Sequence, residues 1–184
     1  MTKENNPNFI LGLDISSSAI GIVVLDLNGA IHHCFAIDFK NKKKFPTLFS
    51  KAEHFENYLK SLMLVFPNSI KKIVIESPLK MFRPGQSSAH TISTLISFNG
   101  IISWILYKFM GIYPEYVSAS TARKNCGIKV PKGENTKKFV LNFLQKSDPI
   151  FSKHIEYSRL GSISTLSYDK SDAYVIAKSI LLTS

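Results

Sequence analysis

Four of the thirteen acidic residues occupy positions where a carboxylate is costly unless it has a use. Asp14 ends the apolar run FILGLD and Glu76 ends KKIVIE. Each therefore stands at the C-terminal end of a short hydrophobic strand, where ligands bind in open α/β sheets. If the two strands are parallel neighbours, the carboxylates repel at close range, and a divalent cation relieves that repulsion. Asp169 and Asp172 follow in YDKSDAYVIA. A spacing of three puts both on one helical face, and acids in a first helical turn are favoured by the helix dipole. Taken singly, each acid has a plainer reading: Asp14 as a turn former, Glu76 as an exposed strand terminus, and Asp169 and Asp172 as an N-cap with a dipole-compensating acid. Taken together they predict a metal-binding acidic cluster. Its chemistry would be two-metal phosphoryl transfer, with ions about 3.5–4 Å apart, one activating water and the other stabilising the leaving oxygen.

The elements that must carry these acids follow from hydrophobic spacing. Phe9 to Asp14 and Gly21 to Leu25 are compact apolar runs, and Asn28-Gly29 closes a tight turn into a third, Ala30 to Ile37. That is the pattern of an antiparallel meander. Leu48, Ala52, Phe55, Leu59, Leu62, Met63 and Phe66 recur at steps of three and four and predict a helix from about Thr47 to Pro67. Lys71 to Glu76 is a short strand entered from that helix, hence parallel to a strand of the meander. A second helix is expected from His90 to Met110, a strand from Ile112 to Val117, helical segments near Ser120 to Asn125 and Asn135 to Gln145, and a closing helix from Tyr168 to Leu182. Lys129 to Asn135 reads as the least ordered stretch, and Ser147 to Ser167 has too little periodicity to assign. The order β-β-β-α-β-α-β-α describes one α/β domain spanning residues 1–184. Its sheet is mixed and five-stranded, three antiparallel strands followed by parallel ones, with helices on both faces.

The 184 residues carry 23 Lys+Arg against 13 Asp+Glu, a formal charge of +10, which points to a polyanionic partner. With 45% hydrophobic and 20% charged residues the chain is not a disordered basic tail. Only Arg83, Arg123 and Arg159 are arginines, so phosphates would be met mainly by lysine point charges, which give affinity more readily than base reading. Arg123, Lys124, Lys129, Lys132, Lys137 and Lys138 stand against Glu134 alone, forming either a phosphate-binding patch or a solubilising face. Lys42, Lys43 and Lys44 form a second run with the same two readings. Cys34 and Cys126 suggest neither a disulfide framework nor a zinc site. The uncharged stretch Pro84 to Tyr107 is long enough for a bilayer but too polar, so no membrane partner is expected. The opening MTKENNPNFI lacks the features of a secretory signal, and a cytoplasmic location is expected. The lysine-rich, Ile/Asn/Phe-rich composition suggests an AT-rich bacterial or viral (phage) genome.

These residues resemble the RuvC family of Holliday junction resolvases, within the RNase H-like (retroviral integrase) superfamily. LGLDISSSAIGIVVLD resembles the family's first strand motif, IVIESP the second, and DKSDAYVIA the closing helix with its Asp-x-x-Asp. The resemblance implies an RNase H-like fold in which Asp14, Glu76, Asp169 and Asp172 hold two Mg²⁺ ions, with Mn²⁺ as a substitute. It also implies a homodimer that resolves four-way junctions and other branched DNA by paired symmetric nicks, leaving 5′-phosphate and 3′-hydroxyl ends. TARKNCGIKVPKGENTKKFV is similar to the family's basic segment, and Lys124 and Lys137 match its lysines best. Lys137 is thereby a candidate catalytic residue, with Lys129 and Lys132 close enough to substitute. Phe82 is the candidate for an aromatic that wedges into the junction. With Arg83 beside it, Phe82 could stack on an unpaired base or pack beneath its own loop. Where the family places Pro-Gly or a similar pair after its first Asp, this chain has Ile15-Ser16.

The helix from His90 to Met110 is apolar on more than one face, and Gly100 would admit a second helix, so it is the expected dimer contact or else a fully buried helix. Three competing functions remain open at this stage. One is a related nuclease of structured RNA. A second is a kinase-like ATP module, because GLDISSSAIG also resembles that superfamily's phosphate-binding turn. The third is a junction-binding protein without activity.

Overall fold

The first three strands, β1 (Phe9–Ile15), β2 (Ala19–Asp26) and β3 (Ile31–Asp38), form the expected meander. The computed structural model describes residues 8–78 and 88–182. Ser16 closes the β1–β2 turn: its hydroxyl accepts the Ala19 N–H and donates to the Ala19 carbonyl, both at 3.0 Å. Asp26 closes the next, accepting the Asn28 and Ala30 N–H groups at 2.9 Å. Then come α1 (Leu48–Val65), β4 (Ile70–Glu76), α2 (Ala89–Met110), β5 (Glu115–Val117), α3 (Ala119–Asn125), α4 (Thr136–Ser147), α5 (Pro149–Ser152) and α6 (Thr165–Leu181). The sheet order is β3-β2-β1-β4-β5. β1 is antiparallel to β2 and parallel to β4, and β4 is parallel to β5.

Strand periodicity divides the interior into two layers. Leu11, Leu13, Ile20, Ile22, Ile73 and Ile75 face α1 and α2, where they meet Phe55, Leu59, Phe98 and Ile102. Ile10, Val23, Leu25 and Val74 point the other way, toward Val140, Leu141 and Leu144 of α4, Phe151 of α5, and Ala173 to Ala177 of α6. Helices therefore cover both faces. Asp14 and Glu76 continue the second set, in step with Ile10 and Val74.

α6 lies on that face at very short range because β1 and β2 present glycines beneath it. A methyl group at Gly21 would sit 2.1 Å from the Asp169 carbonyl oxygen, and one at Gly12 would sit 2.6 Å from the Ala177 Cβ and 2.8 Å from the Ala173 carbonyl oxygen. Asp169, Ala173 and Ala177, four residues apart, form the stripe that fits over the two glycines.

Two elements differ from expectation. β5 has three residues, not six, because Pro114 has no N–H to give to a ladder and strand pairing starts only after it. α6 begins one turn earlier than Tyr168, where the Ser164 hydroxyl accepts the Leu166 N–H, so there is no acid in its first turn. The reading of Asp169 and Asp172 as cap and dipole acids is thereby corrected; both lie further along the helix, over the sheet. The unassigned stretch before α6 holds α5, capped by Asp148, and an antiparallel bridge between Tyr157 and Ile163.

Gly21→Ala must force α6 off the sheet, since the collision is with backbone and not with a flexible side chain. It should cost about 3 kcal/mol, at the upper end for overpacking. The measurement is the urea midpoint at unchanged slope.

Candidate active site

β1 and β4 pair in register through Gly12 with Val74 and Leu13 with Ile75, so Asp14 and Glu76 occupy the next rung on the same face. Strands about 4.8 Å apart bring their side chains into contact. α6 supplies Asp169 and Asp172 from above. Asp14 is 7% exposed. The structure thus gathers all four carboxylates singled out by sequence, and adds a cation. The Lys137 Nζ stands 3.2 Å from Asp169 Oδ1, 3.2 Å from Asp172 Oδ2 and 3.8 Å from Asp14 Oδ2. α4 delivers it: Asn135 caps that helix by accepting the Lys138 N–H at 3.0 Å, and Lys137 lies in the first turn.

The electrostatics are those of an acidic site short of positive charge. Burial, then the neighbouring Glu76 and Asp172 carboxylates, push Asp14 well above the usual carboxylate range, against the pull of Lys137. Burial and Asp172 raise Glu76 to about 7, with Lys137 and Arg123 opposing. Asp172 is raised chiefly by burial. Burial works against the charge on Lys137, but Asp14, Asp172 and Asp169 outweigh it and hold the ammonium firmly protonated. One lysine does not neutralise four acids.

Among the described residues no three His, Cys, Asp or Glu side chains converge on one point as metal ligands. Asp14, Asp169 and Asp172 turn instead to the Lys137 ammonium. The donors are nonetheless the hard oxygen ligands that Mg²⁺ takes, and the raised affinity of Asp14, Glu76 and Asp172 for protons expresses the same demand for cations.

The solved structure of T. thermophilus RuvC in complex with a Holliday junction substrate is similar over 95% of this chain and 93% of that one, with a TM-score of 0.59 and 10% identity. A second structure of Thermus thermophilus RuvC gives a TM-score of 0.57 at 11% identity, with the same coverage. The chain has the RuvC fold. No protein-family model matches the sequence, and no curated protein matches it.

On this RuvC fold the cationic residues singled out by sequence separate into groups. Lys137 lies among the acids, and Arg123 is near enough to act on Glu76 and Asp172. Lys138 lines a cleft beside the acids with Lys40, Tyr168 and Asp169. Lys124 and Lys129 line a separate surface hollow with Arg123, while Lys132 is exposed in the connection before α4. Phe82 and Arg83 fall outside the described residues. Sequence reasoning missed Lys40, Tyr168 and the buried Lys170, whose Nζ pairs with Glu156 at 2.5 Å. For Tyr168 and Lys170 the signal was adjacency to Asp169. For Lys40 it was only proximity to the run Lys42 to Lys44.

The displaced acids set a pH dependence. Glu76 holds its proton to about pH 7 when folded, against 4.5 when unfolded. The Glu76 contribution to stability is therefore full below pH 4.5 and lost as pH rises to about 7, since the unfolded chain releases the proton first. Glu76→Gln should match the parent at low pH and exceed it by on the order of 2 kcal/mol above neutrality in EDTA. Mg²⁺ should narrow that gap by stabilising the parent. Urea midpoints across the pH range, with and without Mg²⁺, measure both effects.

Proposed function

We propose that this chain is a Mg²⁺-dependent endonuclease that cuts four-way junctions, and branched DNA related to them, by paired symmetric nicks as a homodimer. The observation that carries the reading is that two adjacent parallel strands and the helix over them bring Asp14, Asp169 and Asp172 around Lys137, with Glu76 beside Asp14, in a basic chain. The similarity of its fold to a RuvC solved with a Holliday junction substrate supports the choice of DNA structure.

The four carboxylates would hold the ions, whose chemistry there is activation of water and stabilisation of the leaving oxygen at a backbone phosphate. The remaining work belongs to side chains of this chain. Lys137 is charged throughout the working pH range, and its side chain is 53% exposed, so its ammonium can meet a phosphate oxygen without leaving the acids. Arg123 adds positive field from α3. Burial of Asp14 on the sheet face beneath α6 keeps that carboxylate in one place, and preorganised charge is worth more in a dry site than in water.

α2 supplies a surface for the second copy. Phe98, Ile102, Ile105 and Leu106 face the core, yet Ile96 and Trp104 remain 47% and 59% exposed. With Phe49 of α1, Trp104 and Ile101 line an apolar groove of about 580 Å³ at Gly100. α2 is also long and apolar enough to cross a bilayer, but its inner face is committed to the sheet.

A synthetic four-way junction incubated with Mg²⁺ should receive nicks at symmetric positions in opposite strands, resolved on a denaturing gel. Asp14→Asn should abolish nicking while junction retention in a mobility shift persists. Preferential cleavage of structured RNA, or no cleavage by the unaltered chain, overturns the reading.

Trp104→Glu should convert dimers to monomers in sedimentation equilibrium and uncouple the two nicks into single, unpaired events. A monomeric unaltered chain at micromolar concentration would remove the paired-nick mechanism.

A further inference from the structure

The cleft beside the acids has a volume of about 470 Å³, within the range of ~300–1,000 Å³ typical of small-ligand pockets and far too small for a duplex. Its walls come from four distant parts of the chain: Ser18 in the β1–β2 turn, Lys40 after β3, Lys137 and Lys138 at the start of α4, and Tyr168 and Asp169 in α6. Lys40 donates to the Thr165 hydroxyl at 2.6 Å and so ties the end of β3 to the start of α6.

Three ammonium groups face one carboxylate in this lining, which therefore favours an anion. Lys137 already answers to the acid cluster. Among the described residues neither Lys40 nor Lys138 makes an ion pair, so their charges are free for a ligand. Tyr168 adds a half-buried aromatic ring. Cations that track a backbone together with an aromatic face are the components by which proteins hold single-stranded nucleic acid.

The position of the cleft specifies the ligand further. Lys137 and Asp169 belong to both the cleft and the carboxylate cluster, so the two are continuous. A strand whose phosphate lies at the carboxylates has its neighbouring nucleotide at the cleft. We infer that this cleft holds the unpaired nucleotide flanking the phosphate to be cut, with its own phosphate on Lys40 and Lys138 and its base on the ring of Tyr168. This inference rests on the nuclease reading above and extends it: a cleft that admits one nucleotide and excludes a duplex selects branched DNA, where strands are locally unpaired, over continuous helix.

The test uses the full chain with a synthetic four-way junction in the Asp14→Asn background, so that the substrate stays whole. 5-Iodouracil is placed on either side of the nick mapped with the unaltered chain, and the complex is irradiated and digested with trypsin. The adduct should fall on peptide 160–170, which carries Tyr168. Lys40→Ala and Lys138→Ala should each weaken binding and lower the slope of log affinity against log salt by about 1. Tyr168→Leu should weaken binding roughly ten-fold, and Tyr168→Phe, which keeps the ring face, should restore it. Tyr168 also packs against the α6 layer, so if Tyr168→Leu fails to fold, the two exposed lysines carry the test. A retained junction with adducts only on other peptides and unchanged salt slopes in both lysine variants overturns the cleft assignment while leaving the nuclease reading intact. A chain that retains no junction at all overturns both.

Discussion

The site depends on how closely α6 can approach the sheet. Helices ordinarily pack with side chains between their backbones and the surface they cover, at about 8–10 Å between helix axes. Here Gly12 and Gly21 remove that layer, so the Asp169 backbone rests directly on β2 and the Ala173 and Ala177 backbone on β1. Asp169 and Asp172 are thereby lowered to the level of Asp14 and Glu76. One side chain's thickness more would leave two separate acid pairs. The two glycines are thus as much a part of the site as the carboxylates.

Close approach creates a charge problem, and the surrounding structure answers it incompletely. Lys137 reaches three of the four acids and Arg123 adds its field to Glu76 and Asp172, yet Asp14, Glu76 and Asp172 all remain raised. The crowding is held in place by bonds remote from the acids. Lys170, 3% exposed between Asp169 and Asp172, is tied to Glu156 and to the His154 carbonyl. Ser167 binds both the N–H and the carbonyl of Glu156, so the stretch before α6 is fastened to that helix's first turn. At the far end Asp148 accepts from Tyr174 and Lys178, each at 2.6 Å. A buried charge left without its partner is costly, so these pairs restrain α6 against the repulsion beneath it.

Much of this was legible in the chain itself. Period-two strands with an acid at the same end, and an Asp-x-x-Asp on the last helix, locate the four carboxylates, because both signals are local. What was not legible depends on contacts distant in sequence. Lys40 meets Thr165 across 125 positions, and no pattern near either residue records that. Composition reads Lys137 as part of a phosphate-binding or solubilising face, and the family resemblance makes it a candidate catalytic lysine; only the placement of α4 beside α6 makes it a counter-ion. The start of α6 was misread because Ser164 lies in a Ser-rich stretch with several candidate caps. Gly12 and Gly21 could have been found, since a glycine inside an apolar strand signals close approach by another backbone.

The same contacts change the meaning of the net charge. A surplus of ten positive charges spread evenly would give weak attraction for any polyanion. The lysines of this chain are not spread evenly. Lys170 and Lys178 are committed to Glu156 and Asp148, and Lys60 and Lys72 to Glu56 and Glu115 on the surface. These pairs contribute nothing to the surplus. It falls instead on lysines without a carboxylate partner, and Lys40 and Lys138 place part of it at the mouth of the acidic site. A negative centre bordered by unpaired cations attracts a phosphate chain to its rim and repels it from the middle. Binding and cleavage thereby make opposite electrostatic demands on neighbouring groups, and Lys137, with its ammonium among the acids and its side chain half exposed, is the residue that belongs to both.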